Sequence, residues 1–480
     1  MRCGTATAVA FVMALSMSTA LTSPTHALTL QEALRVTVEA NPEIGQAVEN
    51  REAIEFELRQ ARGLYLPSVD LNSSAGVRLL DNEGRRLAGT DDDELYPRDV
   101  GVTVTQKLFD GGARSAEKNR QASRVDSASY RVLERSETIG LQVVREYLEV
   151  VLQAEIVAET RRNLEFHERT RSDVGDLISG GKLTDADRQQ VEERLLGARA
   201  RMIEATEELE AAKIRFYTLV GKPLTGWSMP GSVANAIPRT LDEAIAIGRK
   251  NNPRIHAALA DINVAEAMVK GARSKYAPEI FAEGAARTGT DIDGDDGRTD
   301  DYSARIVAKW NLYRGGIDSA DEQEQIRRAS EARLVLHQSH RQVEEAVRIS
   351  WDRRARQTQQ AATLSAQANE NAGLVSSYRE QLDVGQRSLL DVLDAQNTHY
   401  NAAILARTAR FAARFAEYRL LAATGSLLRT MQVRPPQQAE AYARTEYNVP
   451  PALAAETYRR VPSRQSDTPP MDLLAPVKTP

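Results

Sequence analysis

The side chains whose types and spacing could do chemistry are mostly acidic. Asp391 and Asp394 stand three residues apart in Val384-Gly385-Gln386-Arg387-Ser388-Leu389-Leu390-Asp391-Val392-Leu393-Asp394-Ala395, so a helix there puts both on one face. His337 and His340 have the same spacing, but two imidazoles without a carboxylate constellation read as a surface pair rather than a metal site. Asp291-Ile292-Asp293-Gly294-Asp295-Asp296-Gly297 has some features of a calcium loop. Asp296 nevertheless stands where that loop requires Gly, and the terminal Glu is missing, so the segment reads as a solvated hairpin tip. No acidic pair accompanies a nucleophile, and no Gly-rich phosphate loop is present. Hydrolase or ATPase chemistry has no support, and neither a cofactor nor a metal is expected.

The elements that must position these residues come from an internal repeat. Thr29-Leu30-Gln31-Glu32-Ala33-Leu34 returns as Thr240-Leu241-Asp242-Glu243-Ala244-Ile245, and Asn41-Pro42-Glu43-Ile44 as Asn252-Pro253-Arg254-Ile255. Leu108-Phe109-Asp110-Gly111-Gly112 matches Leu312-Tyr313-Arg314-Gly315-Gly316, Gly181 pairs with Gly385, and Asp187 pairs with Asp391. Two equivalent halves follow, 28–222 and 239–425, joined by a linker over 223–238. In each half Asn-Pro opens a helix, Pro42 to Gly63 and Pro253 to Ser274, with Pro in the tolerated first turn. Alternating segments come next, over 67–110 and 278–314, and period two means half-buried strands paired as hairpins. Phe281 interrupts the polar face of one of them.

Beyond each hairpin Gly-Gly opens a long stretch, and no proline occurs from 98 to 222 or from 279 to 434. Apolar residues at three- and four-residue spacing, such as Ile139, Val143, Val144, Tyr147, Leu148 and Val151, make these stretches helical. Gly180-Gly181 and Gly385 fold each into a helical hairpin, 113–220 and 316–424. The arm from 113 to 179 would be about 100 Å long at 1.5 Å per residue. A returning arm with a short helix stacked on its end nearly matches it. The expected shape is a tall cylinder.

Composition sets the compartment. The chain has 480 residues, a net charge of −5, 27% charged and 42% hydrophobic residues and a mean hydropathy of −0.44, which excludes a multi-span helical membrane protein. Near-neutral charge offers no reason to expect nucleic acid. Residues 1–27 have the form of a secretory signal: Arg2, an apolar run from Ala8 to Leu15, and a small-residue site at Thr25-His26-Ala27. The single cysteine, Cys3, falls inside it, so thiol chemistry is not expected. Residues 434–480 hold half of the 18 prolines and read as a disordered tail.

Four strands with one apolar face cannot close a membrane barrel, which needs roughly eight or more, and an open edge in lipid is not viable. Membrane strands would therefore require several chains to share one barrel. Tyr65, Phe109, Tyr276, Tyr302, Trp310 and Tyr313 lie near strand ends, where interface aromatics are found. The strand pattern alone fits an ordinary soluble hairpin edge equally well.

With these parts in place the chain resembles the TolC family of outer-membrane export channels. The resemblance rests on the Leu-x-x-Ala-Leu and Asn-Pro starts, the Tyr-x-Pro strand starts, the two Gly-Gly motifs, and above all the segment from Val384 to Ala395. It implies a mainly α fold with a membrane β-barrel: a homotrimer whose four strands per chain make a twelve-stranded barrel above a long periplasmic α-helical barrel. It also implies a Gram-negative outer-membrane location, a periplasmic adaptor, and an inner-membrane ABC or other transporter as partners. Gln386-Arg387-Ser388-Leu389-Leu390 looks most like the type I secretion branch, including its agglutination and adhesin-export members. Carried over by resemblance, Asp391 and Asp394 match an acidic ring at the periplasmic entrance, where crowded carboxylates raise each other's pKa and favour cations. Arg387 and Asp187 match groups that hold an iris of helix tips shut around Gly181 and Gly385. Leu382 and Ala186 depart from the family, standing where a gate tyrosine and a threonine are often found.

The competing reading is a periplasmic coiled-coil adaptor or scaffold without its own barrel. Long helical hairpins fit both; the two alternating hairpins with aromatic ends favour the channel.

Overall fold

The computed structural model describes residues 28–463 except 182 and 295; the expected signal peptide and residues 464–480 lie outside the described residues. α1 (Leu30–Ala40) and α2 (Pro42–Gly63) lead into β1 (Ser68–Ala75). A small excursion of β2 (Arg78–Leu79), α3 (Glu83–Ala88) and β3 (Glu94–Leu95) precedes β4 (Arg98–Phe109). α4 (Ala113–Ser179) and α5 (Asp185–Val220) form the first helical hairpin. After the connecting segment come α6 (Leu241–Asn251), α7 (Pro253–Ser274), β5 (Glu279–Thr290) and β6 (Arg298–Lys309). α8 (Ile317–Asp383) and α9 (Leu389–Ala423) form the second hairpin, followed by the single turns α10 (Leu427–Thr430) and α11 (Ala443–Glu446).

Element lengths pair off: 67 residues in both α4 and α8, 22 in both α2 and α7, and 36 and 35 in α5 and α9. At 1.5 Å per residue the long helices reach about 100 Å. The two Asn-Pro motifs explain how the shorter helices keep pace. The Asn41 side chain accepts the Glu43 N–H as an N-cap, and its Nδ2 donates to the Leu219 carbonyl at the end of α5, at 3.1 Å. Asn252 caps α7 in the same way and donates to the Ala423 carbonyl at the end of α9, at 3.1 Å. One side chain thus serves an orphan donor of one helix and an orphan acceptor of another. α2 continues α5, and α7 continues α9, as the arithmetic of lengths required. Gly425, at φ +67°, makes the second junction possible: a Cβ there would come within 3.0 Å of the Asn251 carbonyl and the Asn252 Cα.

α4 packs on α5 and α9 along the hairpins, and on α2 and α7 nearer the sheet. The largest core sits at the helix junctions, where Leu34, Val143, Tyr147, Phe216, Ile245, Val347, Tyr418, Leu420 and Leu427 are buried together. α1, α6 and α10 therefore lie against the long helices as a belt. The sheet is antiparallel in the order β1-β4-β5-β6, with β1 and β6 as its edges.

The tail corrects the sequence reading. Residues 434–463 are not a disordered extension: Ala443 is buried, and the segment is bonded to α2, α4, α7 and α8. Its prolines remove donors but do not prevent an irregular chain from docking through side chains on distant helices.

One buried acid marks the belt. Glu137 of α4 is 7% exposed and accepts the N–H groups of Leu427 and Leu428 at 3.2 and 3.3 Å. Burial pushes its pKa up to about 7, against the opposing pull of those two donors and Arg429. A raised carboxyl pKa means the folded chain holds a proton that the unfolded chain has lost, so stability falls as pH rises from the ordinary value of 4.5 to about 7. Glu137→Gln should flatten that fall, measured as the thermal midpoint in detergent across this window; an unchanged slope would assign it to other groups.

Candidate functional site

The two ends of the cylinder carry the functional candidates. At the helix tips Gly181 and Gly385 take φ of +75° and +74°, the left-handed conformation that ends α4 and α8 and turns the chain back. A small core stabilises the tip: Phe166, Val174, Val191, Val375, Leu389, Val392 and Leu393, with Tyr378 and Leu382 packed against it. Leu382, where the sequence resemblance led to the expectation of a tyrosine, thus serves as an apolar packing residue.

The polar groups of the tip are engaged within the chain. Asp187 accepts the Thr184 N–H at 2.8 Å and the Thr184 hydroxyl at 2.7 Å, closing a capping box at the start of α5. Asp391 does the same with Ser388 at the start of α9, at 3.2 Å from its N–H and 2.8 Å from its hydroxyl. These donors hold both carboxyls below the usual carboxylate range. Within one chain the expected upward shift of Asp391 by like charge therefore gives way to the cap. Asp394 pairs with Arg194 of α5 at 3.2 Å. Arg387 donates to the Gln381 side chain at 2.9 Å and lies over the Tyr378 ring, 4.4 Å from its centroid. Arg387 and Asp187 are thus each committed to neighbours other than one another. Ala186 lies exposed in the first turn of α5.

Sequence reasoning missed Arg194, Tyr378 and Gln381 as partners, although Thr184-x-x-Asp187 and Ser388-x-x-Asp391 carry the capping-box signature. It also missed His167, which is 4% exposed behind the tip. Burial, reinforced by Arg194 and Arg201, drives its pKa down to about 4, so it is neutral at physiological pH.

At the opposite end, strand register sorts the side chains. One face holds the rows Leu71-Val102-Ala286-Tyr302, Val69-Val104-Gly284-Ala304, Gln106-Ala282-Ile306 and, after an irregularity between Lys107 and Phe109, Phe109-Ile280-Ala308. The other face holds Asp70, Asn72, Thr103, Thr105, Glu283, Arg287, Ser303 and Arg305. Arg305 pairs with Glu283 at 2.9 Å, and Arg287 with Asp99 at 3.3 Å. Phe281, out of pattern on this polar side, lies 5.3 Å from the Nζ of both Lys107 and Lys309. The apolar face is uncovered: Leu71 is 71% exposed, Tyr302 79% and Ile306 74%. From Tyr302 to Trp310 it runs about 26 Å along the strand. Gln106, the polar member, donates to the carbonyls of Tyr65 and Lys107 at the helix-side end.

Tyr65, Phe109, Tyr276, Trp310 and Tyr313 are exposed at the helix-side end of the sheet, whereas Tyr302 lies toward the loops. Trp310 Nε1 donates to the Tyr276 carbonyl at 3.1 Å. The loops knit together above: Ile292 and Leu95 are buried, and Arg85, 5% exposed, bonds to the Thr90 carbonyl and pairs with Asp296 at 3.4 Å. Asp291 accepts the Gly297 N–H and Asp293 pairs with Arg287, so these carboxylates already have protein donors. Among the described residues no group of three or more His, Cys, Asp or Glu converges as a metal site, and no helix is long and apolar enough to cross a membrane.

Comparison with known proteins decides the family. The outer membrane efflux protein profile matches residues 33–222 and 245–426. The chain belongs to the outer membrane efflux protein family. Family members act in the outer membrane of Gram-negative bacteria as channels, and this location and class hold for this chain. It is 26% identical over 335 residues to the outer membrane efflux protein BepC of Brucella suis, covering 68% of this chain and 72% of that relative. It is 21% identical to the proteases secretion protein PrtF of Dickeya chrysanthemi, covering 78% and 84%. In fold it is similar to the outer membrane channel CmeC of Campylobacter jejuni, with TM-score 0.73, 15% identity, and 87% and 89% of the two chains covered. The open MtrE channel of Neisseria gonorrhoeae gives TM-score 0.69 at 17% identity, covering 84% and 90%.

The capping boxes give a direct test at the tips. Ser388→Ala and Thr184→Ala should each cost about 1 kcal/mol of local helix stability. Amide exchange should accelerate in the first turns of α9 and α5 respectively and stay unchanged in α1. Equal exchange before and after substitution would show that the boxes do not hold the tip.

Proposed function

We propose that this chain is the outer-membrane channel-tunnel of a tripartite export system: a passive conduit gated at its periplasmic helix tips. The observation that carries this reading is the apolar face across four strands whose outer edges, β1 and β6, have no partner strand among the described residues. Three copies pairing β6 to β1 give twelve strands with every edge closed, which satisfies the backbone in lipid. The polar face then lines the lumen, and the exposed aromatics mark the membrane borders. Edge helices support the same assembly. Leu196, Ile203 and Ile214 form an exposed stripe on α5, and Phe56 is exposed on α2. Such apolar surface on a helix flank suits burial against another copy.

A periplasmic adaptor and an inner-membrane transporter complete the system, since a conduit has no energy source of its own. The Gln386-to-Leu390 segment and the likeness to PrtF support type I secretion, and the likeness to BepC supports efflux. In the trimer the tips converge. Asp391 and Asp394 then ring the entrance as six carboxylates, and Arg387 and Asp187 take up contacts between copies. The adaptor-only reading leaves the apolar sheet face without a purpose.

Extraction and conductance test the conduit. The protein should leave membranes only with detergent and conduct ions in planar bilayers; a freely soluble, non-conducting protein would overturn it. In the same assay Asp391→Asn together with Asp394→Asn should bring cation-to-anion permeability toward one. Unchanged selectivity would place the ring elsewhere.

A further inference from the structure

The family match ends at residue 426, yet residues 434–463 cross four helices, and three well-buried polar side chains meet them there. Asp126 of α4, 3% exposed, accepts the N–H groups of Ala443 and Arg444 at 2.8 and 3.2 Å and the Arg444 Nε at 2.8 Å. Asn263 of α7, 4% exposed, donates to the Pro450 carbonyl at 2.7 Å and accepts Arg444 Nη1 at 3.0 Å. Arg333 of α8, fully buried, donates to the Leu453 carbonyl at 3.0 Å and pairs with Glu266 of α7 at 2.7 Å and Glu456 at 3.7 Å. Further along, the Val461 N–H bonds to Gln323 and its carbonyl accepts from Arg327, both on α8.

Apolar and ring contacts accompany each anchor. Ala443, Tyr442, Tyr447 and Val449 pack with Ile54, Leu58 and Val125 of α2 and α4, while Tyr458 packs with Val269 and Ile326 of α7 and α8. The segment therefore runs across the helices, not along one of them, and joins α2 and α4 of the first half to α7 and α8 of the second. It lies on the face of α4 that also carries Glu137, since Asp126 and Glu137 are eleven residues, or about three turns, apart. That is the face against which α10 packs.

We propose that residues 434–463 are a transverse brace that fixes the spacing of α2, α4, α7 and α8 next to the sheet, so that motion of the hairpins is confined to the tip half. Charge chemistry suits the task. An Asp, an Asn and an Arg buried on three different helices each bond to one strap, so a shift of any of these helices strains a buried polar bond. The tip half has no such crossing strap among the described residues: its hairpins are held by side-to-side helix packing and by polar pairs between adjacent helices, such as Arg194–Asp394 and Gln396–Asn163.

Amide exchange on the detergent-purified protein tests the brace independently of the channel reading. Three forms are compared with the full chain: one ending at Ser463, one ending at Val433, and full-length Arg444→Ala, which removes the side-chain bonds to Asp126 and Asn263 and leaves the two backbone N–H bonds to Asp126. The form ending at Ser463 should match the full chain. Loss of the brace should accelerate exchange about ten-fold or more in α2, α7 and the first four turns of α8, while the tip segments of α5 and α9 stay unchanged. Arg444→Ala should give the same pattern in α2 and α7 at smaller amplitude, which keeps the test decisive if the shortest form does not fold. Unchanged exchange near the sheet in Arg444→Ala, or acceleration spread evenly to the tips, would overturn the proposal.

Discussion

The unpaired edges of the four-stranded sheet are the constraint on which the rest depends. Among the described residues β1 and β6 each leave one side of their backbone without a partner strand, and the apolar face between them is open. In water that surface would aggregate through its edges; in lipid the unpaired groups would be costly. Closure by further copies of the same sheet resolves both problems at once. The proposed closure would also account for a membrane protein with a mean hydropathy of −0.44, because each chain would then need only four alternating strands in the bilayer.

In the proposed assembly, closure at the sheet also sets what the helices below it must do. A chain that contributes one sector to a tall cylinder must fill that sector from sheet to tip, and two 67-residue helices do so directly. Their neighbours are broken midway, where Asn41 and Asn252 rejoin the pieces end to end. The break gives the chain its way out to α1, α6 and α10, which cover the junction with the largest apolar core. Glu137 belongs to the same device, holding α10 through two backbone donors at a cost in burial that its raised pKa reveals. Where the core thins toward the sheet, buried polar anchors and the crossing segment of 434–463 take over.

Much of this architecture was legible because punctuation is local. Asn-Pro, Tyr-x-Pro and Gly-Gly mark ends through φ restriction and left-handed turns, and the expected helix 42–63 coincides with α2. Strand faces were legible from period two, including the misfit at Phe281, whose reason lies in Lys107 and Lys309 on adjacent strands. What sequence reasoning lost is non-local. The anchors of the tail, Asp126, Asn263 and Arg333, are scattered over three helices, so proline content dominated the local reading. At the tips, the spacing of Asp391 and Asp394 was visible, but Arg194 comes from a different hairpin. Asp391 was weighed as a pore charge, while its nearest chemistry is the cap it makes with Ser388.

Closure of the sheet by copies of itself is open to a direct measurement. The only cysteine, Cys3, precedes the described residues, so Leu71→Cys on β1 can be combined in turn with cysteines along β6 from Ser303 to Val307. Under mild oxidation in membranes, at least one pair should yield covalent species of two and three chains on a non-reducing gel, with alternate positions weaker as side chains change face. Only single chains at every position, under conditions where each thiol is reactive, would contradict closure of the sheet by its own copies.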